Sequence, residues 1–244
     1  MNVVVVYEWA RDPADALVRA DGSVDWRGAK FVPGEDDAAV LAVGRAIGAA
    51  GGRDVVGVTV GSGDATWALA RGVERAFSVP EIPETADDAL TAAILAAVVR
   101  HVGDVDVVLV GDAVAYPAVA PTLAGALGWP AVLGVADAGV VSDRLTVTRR
   151  VDDREEVLSV ATPVVLGVSA ASAEKQPPGM KEILAARRRP VVELALSDLD
   201  VTPIDRLPER SARPPVSSAA RLFTGTPESC AAQLIAALRA DGVL

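Results

Sequence analysis

Short runs of β-branched residues recur along the chain, each followed by a polar turn and then by an apolar stretch at helical spacing. Residues 3–6 are four consecutive valines, the pattern of a strand buried on both faces. Similar runs occupy Val55–Val60, 105–110 and 131–135, and Arg75–Val79 is a shorter strand candidate. Between them the spacing predicts helices. One starts at the acids Glu35, Asp36 and Asp37 and stops at Gly51-Gly52. A second, of about two turns, follows Gly61-Ser62-Gly63-Asp64. Two more cover 85–102, after Pro80 and Pro83, and 115–127, before Gly128-Trp129-Pro130. Asp21-Gly22, between 16–20 and 23–26, signals a hairpin inserted after the first strand. Strands alternating with helices predict a doubly wound, mostly parallel α/β sheet with helices on both faces.

After Ala138 the pattern shortens. Residues 145–151 and 155–160 predict an antiparallel ribbon, and 163–168 a last core strand. Residues 197–218 are rich in Pro, Ser, Asp and Arg and read as an extended arm. Thr226 then caps a final helix with Pro227 in its first turn and Ala231, Leu234, Ile235 and Leu238 on one stripe. The expected organisation is an α/β domain over 1–196 and an arm plus helix over 197–244. The latter either docks on another subunit or packs on its own domain.

The 244 residues are 51% hydrophobic, ample for a core, and carry a net charge of −10. That balance argues against nucleic acid or an anionic membrane as the main partner. With one cysteine, Cys230, and one histidine, His101, no disulfide framework, Cys/His metal site or Ser-His-acid arrangement is expected. Cys230 is expected as a buried thiol and His101 as a structural residue at a helix end. The first residues read as a strand rather than a signal peptide, no apolar run is long enough to span a bilayer, and the expected compartment is the cytoplasm.

Two turns are candidates for ligand binding. Gly61-Ser62-Gly63 and Gly111-Asp112-Ala113 each follow a predicted strand, where backbone amides can hold a phosphate or ribose. Either alone is more usually a plain tight turn; two facing one crevice favour a cleft. Met180, Ile183 and Leu184 share one face of a helical turn. They form either a small buried cluster or an exposed apolar knob. Arg187, Arg188 and Arg189 form a basic block, either a solvated face or an element that orients an acidic partner. The acids Asp152, Asp153, Glu155 and Glu156 fit a turn between strands more simply than a metal site.

Arg149, Asp152, Asp153, Glu156, Pro163, Val164 and Val165, followed by Arg187-Arg188-Arg189-Pro190, resemble the signature region of the electron transfer flavoprotein β subunit. The likeness extends over most of the chain, through Asp12-Pro13, Gly72-Val73-Glu74-Arg75, 119–130 and 222–244. It implies an adenine-nucleotide-binding α/β fold, akin to universal stress proteins. It also implies an α subunit holding most of an FAD, and transfer of electrons from dehydrogenases onward without catalytic side chains in this chain. Met180 takes the place of the residue that anchors the dehydrogenase, with Ile183, Leu184 and the arginine triplet around it. The cofactor positions implied are Tyr7, Trp9, Asp12, Pro13, Gly61, Ser62, Gly63, Gly111, Ala113 and Val119.

The AMP that the family buries is a separate matter. Glu8 stands where the family has a base, Val32 where it has Asn, and Ala118 and Ala120 where it has Gln and Gly. The resemblance therefore implies a degenerate AMP site. Pro13 and Gly34 fall where the family places aromatics near the flavin, with Tyr7 and Trp9 as substitutes. The chain is similar to divergent actinobacterial members, some tied to mycofactocin redox systems. A stand-alone adenine-nucleotide-binding signalling module and a non-flavin structural subunit are the alternatives.

Overall fold

The computed structural model describes residues 1–19, 21–61, 63–83, 86–112, 116–142, 144–169, 177–201 and 220–244. The chain divides into two compact units, Met1–Ala16 with Trp26–Pro208, and Leu17–Asp25 with Glu209–Leu244.

In the first unit β1 (Val3–Val6) leads through β2 (Trp9–Arg11). In the second unit β3 (Leu17–Val18) and β4 (Val24–Asp25) form the hairpin expected at Asp21-Gly22. Back in the first unit come β5 (Phe31–Pro33), α1 (Asp37–Gly51), β6 (Val55–Val60), α2 (Ala65–Ala70) and β7 (Arg75–Val79). Then follow α3 (Asp88–Val102), β8 (Val107–Gly111), α4 (Val119–Leu127), β9 (Ala131–Val141) and β10 (Arg144–Val151). The unit closes with β11 (Arg154–Val160), β12 (Val164–Val168), α5 (Met180–Ala186) and β13 (Val191–Glu193). The second unit ends in α6 (Pro227–Ala240).

The main sheet has the order β11-β10-β9-β12-β8-β1-β6-β7-β13. The strands from β9 to β13 across it pair in parallel, and β10 alone runs against its neighbours. From β1 the chain proceeds outward through β6 and β7, then returns to the opposite side of β1 as β8. The topological switch point therefore lies between β1 and β8. This is the doubly wound, mostly parallel α/β architecture expected.

Alternation along β1 divides the core. Val3, Val5 and Tyr7 face α1 and α2 with Val40, Leu41, Ile47 and Leu69. Val4 and Val6 face α3 and α4 with Ile94, Leu95, Val98 and Leu123. α1 lies close on β1 because position 44 is glycine; a Cβ there would collide with Val5 Cγ1.

Several elements differ from the sequence reading. The third helix begins at Asp88 rather than 85, because Asp87 caps it by accepting the Leu90 N–H at 2.9 Å. The fourth begins at Val119 rather than 115. The strand expected over 131–135 runs to Val141, since its outer half is paired along the β10 ribbon. β2 paired with β5, and the edge strand β13 on β7, were not expected. Cys230 is half-buried, not buried, on a helix with no buried residue. The arm expected over 197–218 lies outside the described residues from 202 to 219. Among the described residues no helix is long and apolar enough to cross a membrane, and no His/Cys/Asp/Glu group could hold a metal ion.

Candidate functional site

Gly61 follows β6 and Gly111 ends β8, so the two glycine turns stand on either side of the carboxyl end of β1. Gly61 has φ +81°, a conformation that suits glycine. Its N–H donates to the Val79 carbonyl at 2.8 Å, which turns the chain toward α2. Asp64 caps that helix, accepting the Thr66 N–H at 2.8 Å. Gly63 packs on Thr59, whose Oγ1 a Cβ at 63 would strike.

The β1 end itself is ringed by carboxyl groups. The Glu8 N–H donates to Asp37 Oδ2 at 3.0 Å, and the Gly34 N–H donates to the same oxygen at 2.9 Å. Asp37 is thus the fastener that holds the start of α1 against the end of β1. Asp36 and Asp37 are both buried. A Cβ on Gly111 would stand 3.2 Å from Asp36 Cβ, 3.8 Å from Asp36 Oδ2 and 3.9 Å from Asp37 Oδ1, so both acids face the end of β8. Asp88 accepts the Ala118 N–H at 3.1 Å, and Asp112 accepts the Gly134 N–H at 2.8 Å.

Burial, together with the charges of Asp37, Asp88 and Asp36, pushes Glu8 up to about 8. Burial also raises Asp37 to about 7 against the opposing pull of its two N–H donors. Tyr116 is raised by burial and by the charges of Glu8 and Asp88. Glu8 and Asp37 share a poorly solvated space in which like charges favour bound protons.

Beside the carboxyls stands an aromatic group. The Tyr7 and Trp67 rings lie 6.3 Å apart, Trp9 meets Trp67 edge-on at 6.5 Å, and the Arg71 guanidinium sits 4.1 Å over the Trp67 ring. Tyr7 Oη, Trp9 Nε1 and Thr59 Oγ1 are buried without a hydrogen-bond partner. All three lie at the same end of the sheet.

The FAD and AMP that the resemblance implies can be tested against these residues. Trp9 and Trp67, half-buried at this end of the sheet, are the aromatic surface that suits a neutral ring system, with the buried Tyr7 packed behind them. A phosphate does not fit the switch point, because carboxyl groups occupy the approach to both helix N-termini there. The flavin end of FAD is compatible with this chain; a nucleotide phosphate in the crevice is not.

The structure brings Tyr7, Trp9, Gly61, Gly63 and Gly111 to one end of the sheet. Asp12 is nearby in sequence but acts locally: it accepts the Ala14 N–H at 2.9 Å and turns the chain into the short 3-10 helix at Pro13–Asp15. Val119 belongs to the core between α3 and α4 instead of the crevice wall. Ser62 and Ala113 lie outside the described residues. Trp67, Asp36, Asp37 and Asp88 carry no motif that marks them as site residues. Tyr7 burial does have a signal, since period-two alternation puts it on the same face as Val3 and Val5.

The other candidate face is α5. Met180 is 71% exposed and Leu184 54%, while Ile183 is half-buried. Arg187 and Arg188 point to solvent. Arg189 is exposed as well, but its Nη1 donates to the carbonyls of Leu69, at 3.0 Å, and Val73, tying the chain after α5 to the end of α2. Arg149 and Glu156 pair at 2.7 Å across the β10–β11 ribbon, so the signature acids serve the ribbon and its turn. The family model described as electron transfer flavoprotein domain matches residues 27–199.

Proposed function

The chain belongs to the electron transfer flavoprotein family, and from that premise we propose that it is the β-type half of a two-chain electron carrier. An α-type partner holds the phosphates and most of the FAD. When bound, the flavin takes up and releases electrons singly or in pairs. This chain closes the cofactor space with Trp9 and Trp67, backed by the buried Tyr7, and lends no catalytic side chain of its own. The carrier accepts electrons from a dehydrogenase that docks on Met180, Leu184 and the half-buried Ile183, oriented by Arg187 and Arg188.

The observation that carries this reading is the amount of apolar surface left uncovered on elements that have the form of docking parts. α6 is amphipathic yet has no buried residue, and Leu234 and Ile235 are exposed on it. Leu17, Val18 and Val24 are exposed on the β3–β4 hairpin. A self-sufficient domain rarely leaves such residues to water in groups. The stand-alone nucleotide-binding alternative has the carboxyl groups at the switch point against it.

Co-expression with an α-type partner tests the proposal. The purified pair is expected to show a flavin absorption spectrum that neither chain shows alone. A colourless pair that still passes electrons, or a chain that works by itself, would overturn it.

A further inference from the structure

In an open sheet of this strand order the ligand crevice opens at the carboxyl ends of the strands flanking the switch point. Helix N-termini directed there ordinarily favour phosphate, through free N–H groups and the helix dipole. Here the N-termini of α1, which follows β1, and of α4, which follows β8, are already faced by carboxyl groups of the chain itself, Ala118 at the start of α4 donating its N–H to Asp88. Asp36 and Asp37 open α1, and Asp87 and Asp88 open α3. Glu8 lies just beyond β1, and Asp112 follows β8. Among the described residues no Lys or Arg pairs with Glu8, Asp37, Asp88 or Asp112.

The geometry makes this more than a count of acids. Asp37 is 3% exposed and fixed by two backbone N–H groups, so it cannot swing away to make room. Asp36 Oδ2 and Asp37 Oδ1 both lie within 4 Å of the Cβ position at Gly111, the place where the end of β8 would otherwise leave backbone open to a ligand. A phosphate brought to the end of β8 would meet the fixed Asp37 carboxyl with Asp36 beside it.

We infer that the switch-point crevice admits no nucleotide phosphate, so that this chain contributes no AMP-type nucleotide to the carrier. The inference deepens the carrier reading, yet it stands on strand order and carboxyl placement and can fail separately.

The test uses the full chain and its two-chain complex, with AMP as the probe and adenosine as its uncharged counterpart. Nucleotide retained after purification is measured by acid extraction and chromatography, and binding by equilibrium dialysis. Wild type is expected to retain no AMP and to show no saturable AMP binding. At pH 9, where Glu8 and Asp37 (raised to about 8 and about 7) have both lost their protons, Glu8→Lys, which reverses the charge beside the end of β1, is expected to bring AMP binding into the measurable range, roughly tenfold or more above Glu8→Gln, with adenosine unaffected. Glu8→Gln keeps the shape of a side chain that bonds to nothing else among the described residues, so it reports even where the lysine variant fails to fold. For it alone, at the same pH, AMP binding is expected to exceed wild type.

Stoichiometric AMP in the wild-type complex would overturn the inference while leaving the carrier reading intact. AMP binding unchanged in folded variants would also overturn it, because charge would not be what closes the crevice. A complex without flavin would sink the carrier reading and leave this one standing.

Discussion

The Glu8 backbone N–H donates to Asp37 Oδ2 at 3.0 Å, so two carboxyl-bearing residues are held together at the end of β1. Both are raised, Glu8 to about 8 and Asp37 to about 7, chiefly by burial. For an acid whose folded value is raised, the folded state holds the proton longer than the unfolded state does. Stability is then full at low pH, begins to fall above the unfolded values of 4.5 and 3.8, and has lost this contribution above about 8. Thermal melts across pH 5 to 8.5 are expected to show a melting temperature that falls as pH rises. Glu8→Gln should flatten much of that fall and be the more stable protein at pH 8. A melting curve indifferent to pH in wild type would contradict the assignment.

All three arginines of the block are exposed, and Arg189 alone also ties two elements together. Arg189 satisfies carbonyls of Leu69 and Val73 at the end of α2. Arg189→Ala should cost about 1–3 kcal/mol in urea unfolding. Lysine should restore only part, because a single ammonium replaces a planar fork. Arg187→Ala and Arg188→Ala should stay within about 0.5 kcal/mol of wild type while slowing association with an acidic donor. Equal destabilisation by all three substitutions would show that the block acts as one surface.

Met180 projects from the first turn of α5 with most of its side chain in water. Met180→Ala removes contact area from the proposed docking face without touching the core. Electron transfer from the dehydrogenase should weaken by about tenfold, as for a central interface residue, mostly as a raised KM. Flavin content and melting temperature should hold steady. Steady-state assays with the native donor decide it: identical rates would remove Met180 from the docking face.

The valine runs and glycine stops exposed much of this architecture, because strands buried on both faces leave an unbroken apolar signature that β1, β6 and β8 each carry. Thr226 and Pro227 likewise announced α6 correctly. What escaped was tertiary in origin. β13 is three residues long and exists because it pairs with β7; no local pattern marks it. Asp36 and Asp37 looked like ordinary first-turn acids, and only the approach of Gly111 and the N–H groups of Glu8 and Gly34 reveals that they are buried. Arg189 was indistinguishable from its two neighbours until α2 was placed beside it. At the crevice the sequence exposed the change at Glu8 but not the ring of carboxyls that surrounds it.

Gly63 and Thr59 offer a test of how tightly the turn into α2 is built. A Cβ at 63 would collide with Thr59 Oγ1 and lie 2.8 Å from its Cβ and Cγ2. Thr59 is fully buried in β6 and cannot retreat. Gly63→Ala should therefore destabilise by about 1–3 kcal/mol through overpacking. Thr59→Ala alone should cost less than a typical buried threonine, because its hydroxyl has no partner to lose. The double variant should recover a large part of the Gly63→Ala loss, since alanine at 59 vacates the space that the new methyl needs. A double-mutant cycle from denaturant unfolding isolates that coupling. Strict additivity would mean that the turn relaxes away from β6, and that the close approach of Gly63 does not set the position of α2.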